Sequence, residues 1–221
     1  MVSGPDEHSA RPEPRGRGGR PSRQQSAELA GHILDVAERL FLGHGFGATS
    51  IEAVAKRAGI SKRTFYHRFP GKERLFEAVV RRLIERWLPP FGADLVESPT
   101  LAEGLRQVAE HMLKVALTPE ALALHRIVIA EAQRFPALAR MMHEIGATRG
   151  IDLIALQLAP RIETGELRIA DARFAAEEFV LMVVTGPQRR ALGLAKPLTA
   201  AELSAWARDA VALFLDGCRA R

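Results

Sequence analysis

One cysteine in 221 residues leaves no internal disulfide framework and no CxxC metal site. There is no run of eighteen apolar residues, so no membrane-spanning helix is expected. No apolar stretch follows the charges of "MVSGPDEHSARPEPRGRGGRPSRQQ", so a secretory signal is not expected and the cytoplasm is the expected location. GxSxG elbows and glycine-rich phosphate loops are missing, and Cys218 stands near the chain end without a plausible base. An enzyme is therefore not expected, and no cofactor is implied. His111, His125 and His143 could be combined with Glu131 or Glu144, but their spacing fits no compact metal-ligand pattern. Acidic residues are absent from 53 to 72.

What is present is unevenly placed. Hydrophobic residues make up 47% of the chain, enough for a sizeable core in one or two domains. Residues 1–74 hold 13 Lys and Arg against 8 Asp and Glu, and the remainder holds 18 of each. The formal charge of +5 thus belongs to the first third, which suits a polyanionic partner there. A merely soluble basic protein would carry the same excess.

Residues 1–24 are rich in Pro, Gly, Arg and Ser and are expected to form a disordered basic arm. From Glu28 onward, Ala30, Ile33, Leu34, Ala37, Leu40 and Phe41 recur at helical spacing, and "GHGFG" should stop that helix. Thr49 and Glu52 read as a capping box for a second helix with the stripe Ile51, Val54, Ala55 and Ala58, closed by Gly59. Ser61 can cap a third helix that stops at Phe69, before Pro70. Short helices joined by a tight glycine turn follow helix-turn-helix grammar.

The third helix, within "ISKRTFYHRF", asks what so much positive charge is for. Phe65 and Phe69 lie four apart and define an inward face. Arg63 and His67 point nearly opposite, Thr64 and Tyr66 flank them, and Ser61 and Lys62 open the first turn. Such a face supplies donors for phosphates and base edges. A solvated charged face is the bland alternative, and the missing acids speak against it.

The stretch "FGATSIEAVAKRAGISKRTFYHRFPGKERLFEAVV" resembles the N-terminal domain of the TetR family of one-component bacterial regulators, over roughly residues 27–80. The resemblance implies that Thr49 and the third helix hold phosphates and bases, with Tyr66, His67 and Lys72 on the DNA backbone. Lys72 also begins a fourth helix, whose N-terminus favours an anion. Arg68 departs from the family, which often carries an aromatic residue there. "RGRGGRPSR" resembles the minor-groove element of AT-hooks, interrupted by Gly19, with Arg17 and Arg20 as its candidates. A tail acting only through counterion release is the other reading.

The rest of the chain reads as helical. Leu75, Phe76, Val79, Val80, Leu83 and Trp87 stripe a long fourth helix that Pro89 and Pro90 terminate. Thr100 with Glu103, and Thr118 before Pro119, open the next two; the second of these ends near Phe135 and Pro136, and a further helix or pair runs to Gln157. Asp171 caps "DARFAAEEFVLMVVTG", apolar nearly all round from Phe179 to Val184 and so needing cover on several sides. Thr199 and Glu202 box the last helix. Parts of this region also resemble the AefR-like subset of TetR C-terminal domains.

The expected molecule is all-α: an arm over 1–24, a three-helix helix-turn-helix domain over 25–72, and a larger helical ligand-binding and dimerisation domain over 73–221. The last two helices are expected to form a homodimer interface through Phe179, Met182, Val183, Leu203, Trp206, Ala210 and Phe214, or else to complete the protomer's own core. The resemblance implies a small-molecule effector in a C-terminal cavity. Trp87, Phe91, Met112, Ile127, Phe135, Met141 and Met142 are candidates for an apolar pocket, though each is equally a plain core residue. The expected function is a repressor released from a palindromic double-stranded operator by that ligand. An activator, a regulator without ligand, or an architectural DNA coater are the alternatives.

Overall fold

The computed structural model describes residues 23–87, 98–137, 140, 144 and 148–219. Among these the chain forms nine α-helices and no strand, as expected for an all-α protein, with one isolated bridge between Leu167 and Arg219. The helices are α1 (Arg23–Ala48), α2 (Ile51–Arg57), α3 (Lys62–Arg68), α4 (Lys72–Trp87) and α5 (Leu101–Ala116). They continue as α6 (Pro119–Glu131), α7 (Thr148–Glu163), α8 (Ala172–Arg189) and α9 (Ala200–Cys218).

α1 begins at Arg23, five residues ahead of the expected start at Glu28. Its polar first turn has no stripe of its own and is held by a tertiary contact: Arg68 on α3 donates to the Ser26 carbonyl at 2.8 Å. That contact also gives the family departure at Arg68 a role. Near its other end α1 breaks at Gly45, whose φ of 85° only glycine adopts without strain. The break sends Phe46 inward, where it is fully buried among Phe41, Phe76 and Phe135.

The opening of α2 corrects the sequence reading. Ser50, not Thr49, is the N-cap, its hydroxyl accepting from the Ala53 amide. Thr49 is 2% exposed and its hydroxyl donates inward to the carbonyls of Gly45 (2.8 Å) and Leu40 (3.2 Å). Two adjacent hydroxyl residues can each cap a helix; the break at Gly45 turns the first one into the core. α3 opens as read, with Ser61 accepting from the Thr64 amide. Elsewhere Thr100, Thr118, Asp171 and Thr199 cap their helices, and the Thr199–Glu202 box closes in both directions.

Packing divides into two cores. The first takes Ile33, Val36, Phe41 and Phe46 from α1, Val54 from α2, Phe65 from α3, and Leu75, Phe76, Val79, Val80 and Leu83 from α4. Leu124 and Ile127 of α6 join it, so α6 is built into the same core as the first three helices. Arg82 of α4 pairs with Asp35, and Arg86 with Glu38, along the edge of α1. The second core draws on α5, α7, α8 and α9, centred on Leu105, Ile154, Leu158, Phe179 and Phe214.

The α8–α9 seam shows how sequence dictates a close approach. Pro187 has no amide to offer, so the carbonyl of Val183, four residues back, loses its helical donor. The Trp206 indole supplies one at 3.0 Å. Gly186 makes room: a Cβ there would stand 2.7 Å from the indole ring.

The protomer's own packing already encloses part of the expected dimer face. Phe179, Val183, Ala210 and Phe214 are buried within the protomer, with the Phe179 and Phe214 rings 5.0 Å apart. Met182, Leu203 and Trp206 pack half-buried against the same core. These side chains thus contribute to the protomer's second core. The apolar residues they leave exposed are Phe174 and Leu181 on α8 and Leu213 on α9.

Candidate nucleic-acid interface

Phe65, fully buried, anchors α3 to the first core, an apolar burial that contributes about 2 kcal/mol. Phe69 caps the C-terminus half-buried behind it. With that flank fixed, the opposite one is directed outward. Ser61, Lys62, Arg63, Tyr66 and His67 are exposed, Tyr66 by 51%, and Thr64 is half-exposed. The Thr64 and Ser61 hydroxyls lie 2.9 Å apart at the head of this face. Both ends of the short helix therefore serve to present cations and donors, and no acid stands on α3 itself.

One acid does reach the face. Glu52, in the first turn of α2, pairs with Lys62 at 2.5 Å, both side chains being more than half exposed. The hydrogen bond lowers the Glu52 carboxyl below its ordinary range and raises the Lys62 ammonium above its own. Sequence reading took Glu52 as a cap partner and missed this role, for which the absence of acids from 53 onward gave no signal.

Two expected phosphate ligands are engaged elsewhere. Thr49 is inside, its hydroxyl committed to two carbonyls, so its side chain is a structural element of the α1–α2 elbow and not part of the exposed face. Lys72 donates to the carbonyls of Phe46 (2.9 Å) and Gly47 (3.4 Å) and stands over the Phe46 ring, 4.4 Å from its centroid. Its ammonium thereby ties the start of α4 to the elbow. Arg17 and Arg20 lie outside the described residues.

The described members of the expected effector pocket fall into different cores. Trp87, Ile127 and Phe135 pack in or against the first core, and Met112 against the second. Phe91, Met141 and Met142 lie outside the described residues. Apolar character alone could not tell which core each would join. Among the described residues, hollows flank the second core. One of about 330 Å³ lies between α5 and α9, with Arg106, Arg208, Val211, Leu215 and Arg219 in its wall. One of about 230 Å³ lies between α5 and α7, beside Leu101, Leu156 and Pro160.

This geometry, an aromatic-anchored helix presenting a cationic face after a tight turn, has counterparts among known proteins. A family described as "Bacterial regulatory proteins, tetR family" matches residues 33–79, and one described as "AefR-like transcriptional repressor, C-terminal domain" matches residues 103–218. The chain belongs to the TetR family. The regulator is 34% identical over 115 residues to UidR from Escherichia coli K12, a match covering 50% of this chain and 55% of UidR. It spans about half the length of that curated relative. Two solved structures align over nearly the whole fold. One is a TetR-family regulator from Mesorhizobium loti, 30% identical with a TM-score of 0.73, covering 90% of this chain and all of that one. The other is the flavonoid-responsive regulator FrrA, 31% identical with a TM-score of 0.76, covering 88% of this chain and 99% of that one. Among the described residues of the regulator, no helix is long and apolar enough to cross a membrane.

Proposed function

We propose that this TetR-family regulator is a repressor that holds a palindromic operator as a homodimer and is released by a small, largely apolar effector. The observation that carries the DNA reading is the outward Lys62, Arg63, Thr64, Tyr66 and His67 face, fixed by the buried ring of Phe65. Arg63 has the geometry for bidentate base contact, while Ser61, Thr64 and Tyr66 suit phosphate oxygens. Lys62 would exchange Glu52 for DNA on binding. Arg17 and Arg20, in the arm before α1, would add minor-groove or counterion-release contacts. The chain would thus divide at about residues 24 and 72 into arm, reader and effector domain.

Pairing of two reading helices requires a symmetric dimer. Exposed Phe174, Leu181 and Leu213 on α8 and α9 support those helices as the joining face. We assign the effector to the second core's half of the molecule; a structural relative named as flavonoid-responsive supports a small-molecule effector of this class. Such a ligand acts only through its preference for the non-binding conformation.

The test is selection of duplexes from a random pool by the full-length protein, followed by competition at two salt concentrations. An inverted-repeat sequence that survives high salt, and whose binding Arg63→Ala weakens more than binding to unselected duplex, is the expected result. Uniform binding that vanishes with salt would make the protein a coater of DNA instead.

A further inference from the structure

Behind the reading face lies a contact that joins positions 84 apart in sequence: the Gly47 amide donates to Oε1 of Glu131 at 3.0 Å. Glu131 is the last residue of α6, whose final turn holds no basic residue. A carboxylate there faces the negative end of the helix dipole, so α6 gains nothing from it. The elbow is shaped to receive it. A Cβ on Gly47 would stand 2.8 Å from Oε1, so a side chain there would displace the carboxylate from this position.

A second grip accompanies the first. Phe135 sets its ring edge-on to Phe46, with centroids 4.9 Å apart, and its amide donates to the Glu131 carbonyl at 2.7 Å. Glu131 and Phe135 therefore move as one turn. From the opposite side, Lys72 holds the Phe46 and Gly47 carbonyls. The Phe46–Gly47 unit is thus clasped between the end of α6 and the start of α4, just before α2 and α3 begin.

We propose that Glu131, seconded by Phe135, is a positioning residue for the DNA face. It sets the angle at which α2 and α3 leave α1, and makes the end of α6 an input to that face separate from α4. The role rests on reading α3 as the DNA face. Glu131 touches no DNA; it acts through the Gly47 amide.

The experiment uses the full-length protein and four variants: Glu131→Ala, Glu131→Gln, Gly47→Ala, and Gly47→Ala with Glu131→Ala. Hydrogen exchange of residues 45–69 and affinity for a duplex selected by the wild type, against unselected duplex, are the readouts. Glu131→Ala should speed exchange through α2 and α3 and lower the selected-to-unselected affinity ratio by about three- to tenfold. Glu131→Gln keeps an acceptor for Gly47 and should restore most of both, which separates the contact from the lost charge. Gly47→Ala, which displaces the carboxylate, should move both readouts the same way and by no more than Glu131→Ala does, and the double variant should be no worse than Glu131→Ala alone. Unchanged exchange in α2 and α3 after Glu131→Ala, or a double variant losing the sum of both singles, would overturn the proposal. A wild type that selects no duplex would defeat the DNA reading, and the exchange measurements would still decide the joint.

Discussion

Replacing Thr49 by valine distinguishes a phosphate ligand from a structural hydroxyl. The side chain is 2% exposed, and its single hydroxyl hydrogen is shared between the carbonyls of Gly45 at 2.8 Å and Leu40 at 3.2 Å. The Thr49 amide is directed to Phe46 instead, at 3.3 Å, so the hydroxyl is what serves Gly45. Losing one shared hydrogen bond costs about 1 kcal/mol, and leaving a buried carbonyl facing a methyl group adds about 1–2 kcal/mol. Valine fills the same space and returns about 0.8 kcal/mol through its extra apolar group. The net loss is about 1–2 kcal/mol, which for a chain of this length lowers the melting temperature by about 2–8 °C. Calorimetry reads that change. Anisotropy with an unselected duplex, well below the melt, should find affinity within about twofold of wild type, because no exposed donor is removed. An unaltered melting temperature with affinity reduced about tenfold, the loss of a bond to a charged oxygen, would refute the reasoning and return Thr49 to the DNA face.

Three further outcomes are expected. Glu52→Gln frees Lys62 and removes a negative charge from the reading face, so unselected duplex should bind about two- to fivefold more tightly, and adding Lys62→Ala should cancel the gain. Leu181→Asp places a charge on the exposed apolar side of α8 without entering the core; sedimentation should report monomers with weakened binding to selected duplex, and an unaltered dimer would exclude that face. The Arg82 hydrogen bond lowers the Asp35 carboxyl below its ordinary 3.8, so the pair's contribution to stability is present above that value and lost as pH falls through the lower folded-state value. Asp35→Asn should therefore show a shallower decline in melting temperature between about pH 5 and pH 3 than wild type does.

Local chemistry was legible wherever a residue's neighbours in sequence are also its partners in space. Ser61, Asp171 and the Thr199–Glu202 box satisfy amides two or three positions away, and Phe65 repeats the helical period, so each could be read directly. The reading failed where distant segments decide. Thr49 and Ser50 are equally good caps by type, and only the break at Gly45 settles which one turns inward. The first turns of α1 are held by Arg68, 42 positions from Ser26. The run from Phe179 to Val184 reads as needing cover, but period alone cannot say that Phe214 of the same protomer sets its ring 5.0 Å from Phe179. The packing of Phe135 on Phe46, 89 positions away, is likewise invisible to periodicity.

The Trp206 indole, held to the Val183 carbonyl across Gly186, gives the protein a fluorophore of its own on the α8–α9 seam. The chain has one other tryptophan, Trp87, at the far end of α4, where the His111 ring meets its carbonyl at 3.4 Å. Substituting phenylalanine at either position leaves a single emitter. Movement in α4 and movement in the seam can then be timed separately, with no dye attached.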